Sequence, residues 1–203
     1  MFRFLKNIYN AVIIVLVCAG LNNLYNNHFF DNIIADCTSY INAKKSETLE
    51  KVGDFSRINP EFSVDTAINI FGYKAVLAEH KSSGQRMIVL DSGKKPLLTV
   101  EDIRSDGIKY KLEDLSSRLR YESTNVSEID IVDRGQMFSY GEYRPYVRFN
   151  AKVTRLPISN VTGIISINDD NPKEQRLLVS VNDRKKYSQL IASEFYKEVR
   201  ETR

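Results

Sequence analysis

A chain of 203 residues, 42% hydrophobic and 27% charged, carries enough apolar material for one globular domain with its own core. The net charge is +3, and without Arg3 and Lys6 the balance is 27 basic against 26 acidic residues. That balance excludes a nucleic-acid binder, which shows a clear basic excess. Two cysteines, Cys18 and Cys37, exclude a disulfide-stapled outer domain, because only Cys37 falls beyond the N-terminal segment.

The first segment is asymmetric in charge. Arg3 and Lys6 precede the apolar run Ala11–Leu21, whose centre is Ile14, Val15 and Leu16. No Asp, Glu, Lys or Arg occurs from Asn7 to Phe30, and Asp31 and Asp36 follow. Positive charge before an apolar run and none after it predicts a cytoplasmic N-terminus and an extracytoplasmic remainder. With Ile8 and Tyr25 as its ends, the segment just reaches the roughly 20 residues a spanning helix needs. Residues 1–25 are therefore expected to be a membrane anchor or an uncleaved signal segment in contact with lipid. Cleavage after Cys18-Ala19-Gly20 is the alternative, and it would give a secreted protein. Lipid attachment at Cys18 calls for a small residue before it, and Val17 stands there.

Residues 26–56 read as an amphipathic helix or stalk. Phe30, Ile33, Ile34, Cys37 and Ile41 recur at helical spacing, Leu49 and Val52 follow, and Gly53 is a stop. "RINPEFSV" (57–64) reads as a linker, and residues 57–203 as the extracytoplasmic domain. Phe71–His80 and Arg86–Asp91 form a predicted hairpin across "KSSGQ". A helix from Ser63 to Lys81 competes with it, because Val64, Ile68, Phe71 and Ala75 also share a helical face. Thr99 caps the next helix with Asp102 three residues on, and Ile108, Leu112, Leu115 and Leu119 form its stripe. Gly107 is expected to divide it.

Beyond Ser123 the period becomes two. Val147, Phe149, Ala151 and Val153 fall on one face of a strand, with Tyr146, Arg148, Asn150 and Lys152 on the other. Val161–Ile167 and Arg176–Val181 add strands joined by the polar loop "NDDNPKEQ". A final helix from Asp183 to Arg200 is expected to bury Tyr187, Leu190, Ile191, Phe195 and Val199. The fold class is α+β: a mostly antiparallel sheet with helices packed on one face.

Motifs for chemistry are missing. "LDSGKKP" lacks the first glycine and the Ser/Thr of a phosphate-binding loop, and "QMFSYGE" lacks the first glycine of a nucleophile elbow. No cofactor or metal is implied. Asn168–Asp170 reads as a polar turn and not as a calcium loop. His80 beside Glu79 reads as a surface residue, with a Cys37–His80 dyad as the sharper alternative. Asn125-Val126-Ser127 and Asn160-Val161-Thr162 match the glycosylation sequon.

The best site candidate is "MFSYGEYRPYVRFNAKV", where Tyr143, Arg144, Tyr146, Arg148 and Lys152 mix aromatic and basic side chains, as interaction surfaces do. The expected function is that of a non-catalytic, single-pass membrane-tethered protein. Its extracytoplasmic domain would bind protein partners or further copies of itself, as an accessory subunit of a cell-envelope complex. An exported enzyme is the alternative, and it requires Tyr143, Arg144, Arg148 and Glu142 to converge in a cleft. A secreted ligand-binding module is the third reading.

Overall fold

The computed structural model describes residues 45–70, 73–93, 96–117, 126–153, 160–171 and 174–202. The anchor residues Ile14, Val15 and Leu16, both cysteines, Leu119 and Asn125 lie outside the described residues. Among the described residues no helix is long and apolar enough to cross a membrane.

The elements run α1 (Lys45–Val52), β1 (Phe62–Ile70), β2 (Tyr73–His80), β3 (Arg86–Asp91), α2 (Val100–Arg104), α3 (Ile108–Ser117), β4 (Val126–Ser139), β5 (Glu142–Val153), β6 (Asn160–Asn171), β7 (Glu174–Asp183) and α4 (Gln189–Glu198). The seven strands form one sheet in the order β1-β2-β3-β7-β6-β5-β4, and each neighbouring pair is antiparallel. The chain lays down β1 to β3, crosses the sheet through α2 and α3, starts again at the far edge with β4, and returns until β7 pairs with β3. The fold is thus α+β with an antiparallel sheet and helices packed on it, as the element order predicts.

The helices divide between the two faces, which corrects the one-face expectation. Alternate residues of the central strands enter different cores. Ile88, Leu90, Val147, Phe149, Ile165 and Val179 pack with Ile103, Ile108 and Leu112 of α2 and α3. Met87, Val89, Ile164 and Leu178 pack with Val52 of α1 and with Ala192, Phe195 and Tyr196 of α4. The physical reason is in the strands: β3 is buried at every position. Consecutive apolar residues of this kind need cover on both sides of the sheet.

Several boundaries also move. Residues 62–70 are strand, so neither the linker reading of 57–64 nor the helix from Ser63 to Lys81 holds there. A register shift between Val64 and Thr66 breaks the alternation that would have announced β1. The packed unit takes in α1 as well: Val52 is fully buried, and Asp54 pairs with Arg200 in an isolated β-bridge. The "NDDNPKEQ" stretch is mostly strand, with Asn168 opposite Arg176 and Asn171 opposite Glu174. The last helix starts at Gln189 and not at Asp183, and Leu190 is 81% exposed instead of buried.

The capping box at Thr99 is present. The Asp102 N–H donates to the Thr99 hydroxyl (3.1 Å), and the Thr99 N–H donates to the Asp102 carboxylate (2.8 Å). The helix breaks after Arg104 and resumes at Ile108, on either side of Gly107. Burial raises the Asp102 pKa, but the Thr99 bonds and Lys111 outweigh it and hold the carboxyl below its usual range. A depressed folded-state value means that this stabilisation is present above the unfolded pKa. It is lost as pH falls through the folded one. T99A is expected to cost about 1 kcal/mol at neutral pH, and less in acid where Asp102 is protonated. Denaturant titrations at two pH values check this.

Candidate functional site

The candidate strand is β5, and its neighbours decide what each side chain presents. Arg144, Tyr146, Arg148 and Lys152 alternate onto the α4 side of the sheet, while Val147, Phe149, Ala151 and Val153 enter the opposite core. Tyr146 faces Gly135 of β4 across the ladder. A Cβ on Gly135 would lie 2.8 Å from the Tyr146 hydroxyl, so glycine there lets the phenol ring lie across the neighbouring strand.

A polar cluster follows. Gln189, the first residue of α4, donates to the Tyr146 hydroxyl at 2.5 Å, and that hydroxyl lies 3.4 Å from Asp133. Arg148 Nη1 reaches the Gln189 side-chain oxygen at 3.4 Å, and Nη2 lies 3.8 Å from Asp133. The Arg148 Nε–H is buried and meets no acceptor among the described residues. The guanidinium is a third exposed, so a charged fork with long contacts stands at the surface. Tyr187 borders the cluster. Burial raises its phenol pKa well above the ordinary value, against the opposing effects of Ser180 and Arg148.

The five predicted site residues therefore separate. Tyr146 and Arg148 are brought together, but Tyr146 is only 6% exposed and supports the face instead of forming it. Arg144 is buried 3.2 Å from Glu142. Lys152 pairs with Glu128 at 2.5 Å near the other end of the strand. Tyr143 points to the opposite face, where its exposed ring meets Phe138 edge-on at 5.4 Å. Tyr143 and Arg148 thus do not share a cleft.

The β4–β5 turn near Tyr143 is tightly held. Tyr140 and Gly141 both have positive φ (+50° and +86°), as a two-residue hairpin of the primed kind requires. That backbone is strained for tyrosine. Contacts hold it: the Tyr140 hydroxyl donates to the Val52 carbonyl at 2.8 Å, and the Arg176 guanidinium sits 4.8 Å over its ring. The same corner carries two open grooves of about 680 and 450 Å3, on either side of the C-terminal residues Glu201 and Thr202.

Two features escaped the sequence reading. His80 is 6% exposed, which corrects its assignment to the surface. Its ring lies tilted against Phe62 at 5.0 Å and bonds through both ring nitrogens, to Ser83 at 2.9 Å and to Glu61 at 3.1 Å. The Glu61 signal was absent because β1 was not expected, and β1 is what sets Phe62 opposite His80. Arg86, buried in β3, holds Asp65 of β1 and Glu79 of β2 (2.6 Å to Glu79). Burial raises the Glu79 pKa, against the attraction of Arg86 and with the repulsion of Asp65. Compared with known proteins, the chain matches no protein-family model and no curated sequence.

Proposed function

We propose that this protein is tethered to a membrane by its N-terminal segment and works by binding, as an accessory or assembly subunit of a cell-envelope complex. The charge asymmetry around Ala11–Leu21 supports the tether, with the N-terminus in the cytoplasm and the folded unit outside. The observation that carries the binding reading is Arg148. It is a partly exposed guanidinium with only long contacts to Asp133 and Gln189, set among aromatic side chains on the α4 side of β5. Arginine and tyrosine in this arrangement dominate protein interfaces, and a fork held only by these long contacts suits a carboxylate on a protein partner or on a second copy. The exposed ring of Tyr143 offers a second anchor at the hairpin tip.

The test is cross-linking in native membranes followed by detergent extraction and pull-down. The full-length chain is expected in the membrane fraction, in a species heavier than the monomer. R148E is expected to reduce capture about ten-fold or more with its circular dichroism unchanged, and Y143A less. A monomer as the sole extracted species sinks the binding reading. A soluble chain starting near Leu21 sinks the tether and leaves the binding face to be tested separately.

A further inference from the structure

The turn between β2 and β3 lies at the opposite end of the sheet from the β4–β5 hairpin, and it holds chemistry the binding face does not use. Glu61 Oε2 lies 3.1 Å from His80 Nε2, and His80 Nδ1 lies 2.9 Å from the Ser83 hydroxyl. Each member is positioned by the ladder or by the turn's own backbone. Phe62 pairs with His80, and the Lys81 N–H donates to the Glu61 carbonyl at 2.9 Å. The turn closes through His80 N–H to the Gln85 carbonyl (2.9 Å) and Gly84 N–H to the His80 carbonyl (2.8 Å), with Gly84 at φ +69°. The imidazole is buried against Phe62, whereas Glu61 is exposed and Ser83 half-buried.

With its proton on Nε2, the imidazole donates to Glu61 and leaves the Nδ1 lone pair to accept from the Ser83 O–H. A hydroxyl, a base within reach of it, and a carboxylate that orients the base are the parts of an activated serine, whatever their order in the chain. The Gln85 N–H donates to Ser83 Oγ at 3.2 Å and so favours negative charge on that oxygen. The backbone N–H groups of Ser82 and Ser83 meet no acceptor among the described residues.

We propose that Ser83 is a nucleophile toward small carboxylic esters, with His80 as general base and Glu61 as a positioning residue. Ser83 Oγ bonds to the ester carbonyl carbon while its proton passes to His80 Nδ1. The tetrahedral adduct then breaks its bond to the alcohol oxygen, which takes that proton and leaves, giving acyl-Ser83. Water attacks the acyl carbon with His80 again accepting the proton. The carboxylic acid departs and the Ser83 hydroxyl is restored. The turn stands at the surface, which suits a short acyl group such as acetyl.

The full-length protein in detergent is treated with an alkyl fluorophosphonate, and separately with p-nitrophenyl acetate. Intact mass and peptide mapping are followed in the first case, and nitrophenolate release in the second. One fluorophosphonate adduct is expected on Ser83, none on S83A, and about 100-fold slower reaction with H80Q. E61Q should be about ten-fold slower, because the imidazole loses the carboxylate that orients it, and E61D should restore much of the rate. S83C, which keeps the turn's bonds, should instead take iodoacetamide at this position. No adduct on Ser83 after prolonged treatment, an adduct on another residue only, or an H80Q rate equal to the parent's overturns the proposal.

Discussion

Truncating Phe195 to alanine is expected to lower the unfolding free energy by about 3–5 kcal/mol, a large share of the roughly 5–15 kcal/mol that holds a typical domain folded. Phe195 is 1% exposed and stands where three parts of the chain meet. Its ring lies 5.3 Å from Phe62 of β1, 6.2 Å from Phe55 in the segment after α1, and 5.2 Å from Tyr196. The alanine variant leaves a cavity among rings that cannot collapse into it without pulling β1 from α4. F195L keeps much of the volume and should cost less than half as much. Urea titration of the full chain in detergent checks both, and a midpoint within error of the parent for F195A would remove Phe195 from the core.

Replacing Gln85 with leucine is expected to cost about 3 kcal/mol or more and also to weaken partner capture. The side chain is fully buried and makes three bonds at once. Its amide nitrogen donates to the Ser180 hydroxyl (3.0 Å) and the Ser188 carbonyl (2.8 Å), and its oxygen accepts the Ser188 N–H at 2.8 Å. Leucine of similar size leaves these groups without partners, at about 1–3 kcal/mol each where water cannot replace the bond. Ser188 is the N-cap of α4 and makes no side-chain cap bond of its own, so Gln85 is what pins the helix start. Gln189 is the next residue, and it holds Tyr146 and Arg148. Thermal melting together with pull-down at a temperature where the variant is still folded separates the two effects. A folded Q85L that captures partner as the parent does would break the link between this buried amide and the β5 face.

The strand "YVRFNAKV" was legible because β5 carries no bulge, so a strict period of two survives from Tyr146 to Val153. The same pattern could not say what covers the polar side. Tyr146 and Arg148 were expected on an open sheet face, and α4 lays Gln189 across them. β1 was missed because its bulge between Val64 and Thr66 shifts the register, and with it went Glu61, the partner of His80. His80 itself looked like a surface residue because it lies beside Glu79 in a hairpin. Period-two alternation turns that neighbour away and turns the imidazole onto Phe62. Leu190 shows the converse error: helical spacing admitted it to the buried stripe, but the helix begins only one residue earlier, and its first turn projects that side chain into solvent.

The amino-acid sequence by itself determined the α+β class, the Thr99 cap, the helix break near Gly107, the β2–β3 hairpin and the core face of β5. Each of these depends on residues close along the chain, so local spacing and turn chemistry were enough. Tertiary structure alone decided the strand order, with β7 beside β3, and the placement of helices on both faces. It also decided the joining of Glu61 to His80, and of Arg148, Asp133 and Gln189. Those depend on contacts between residues far apart in sequence, whose formation rests on which buried faces find cover and not on any local pattern.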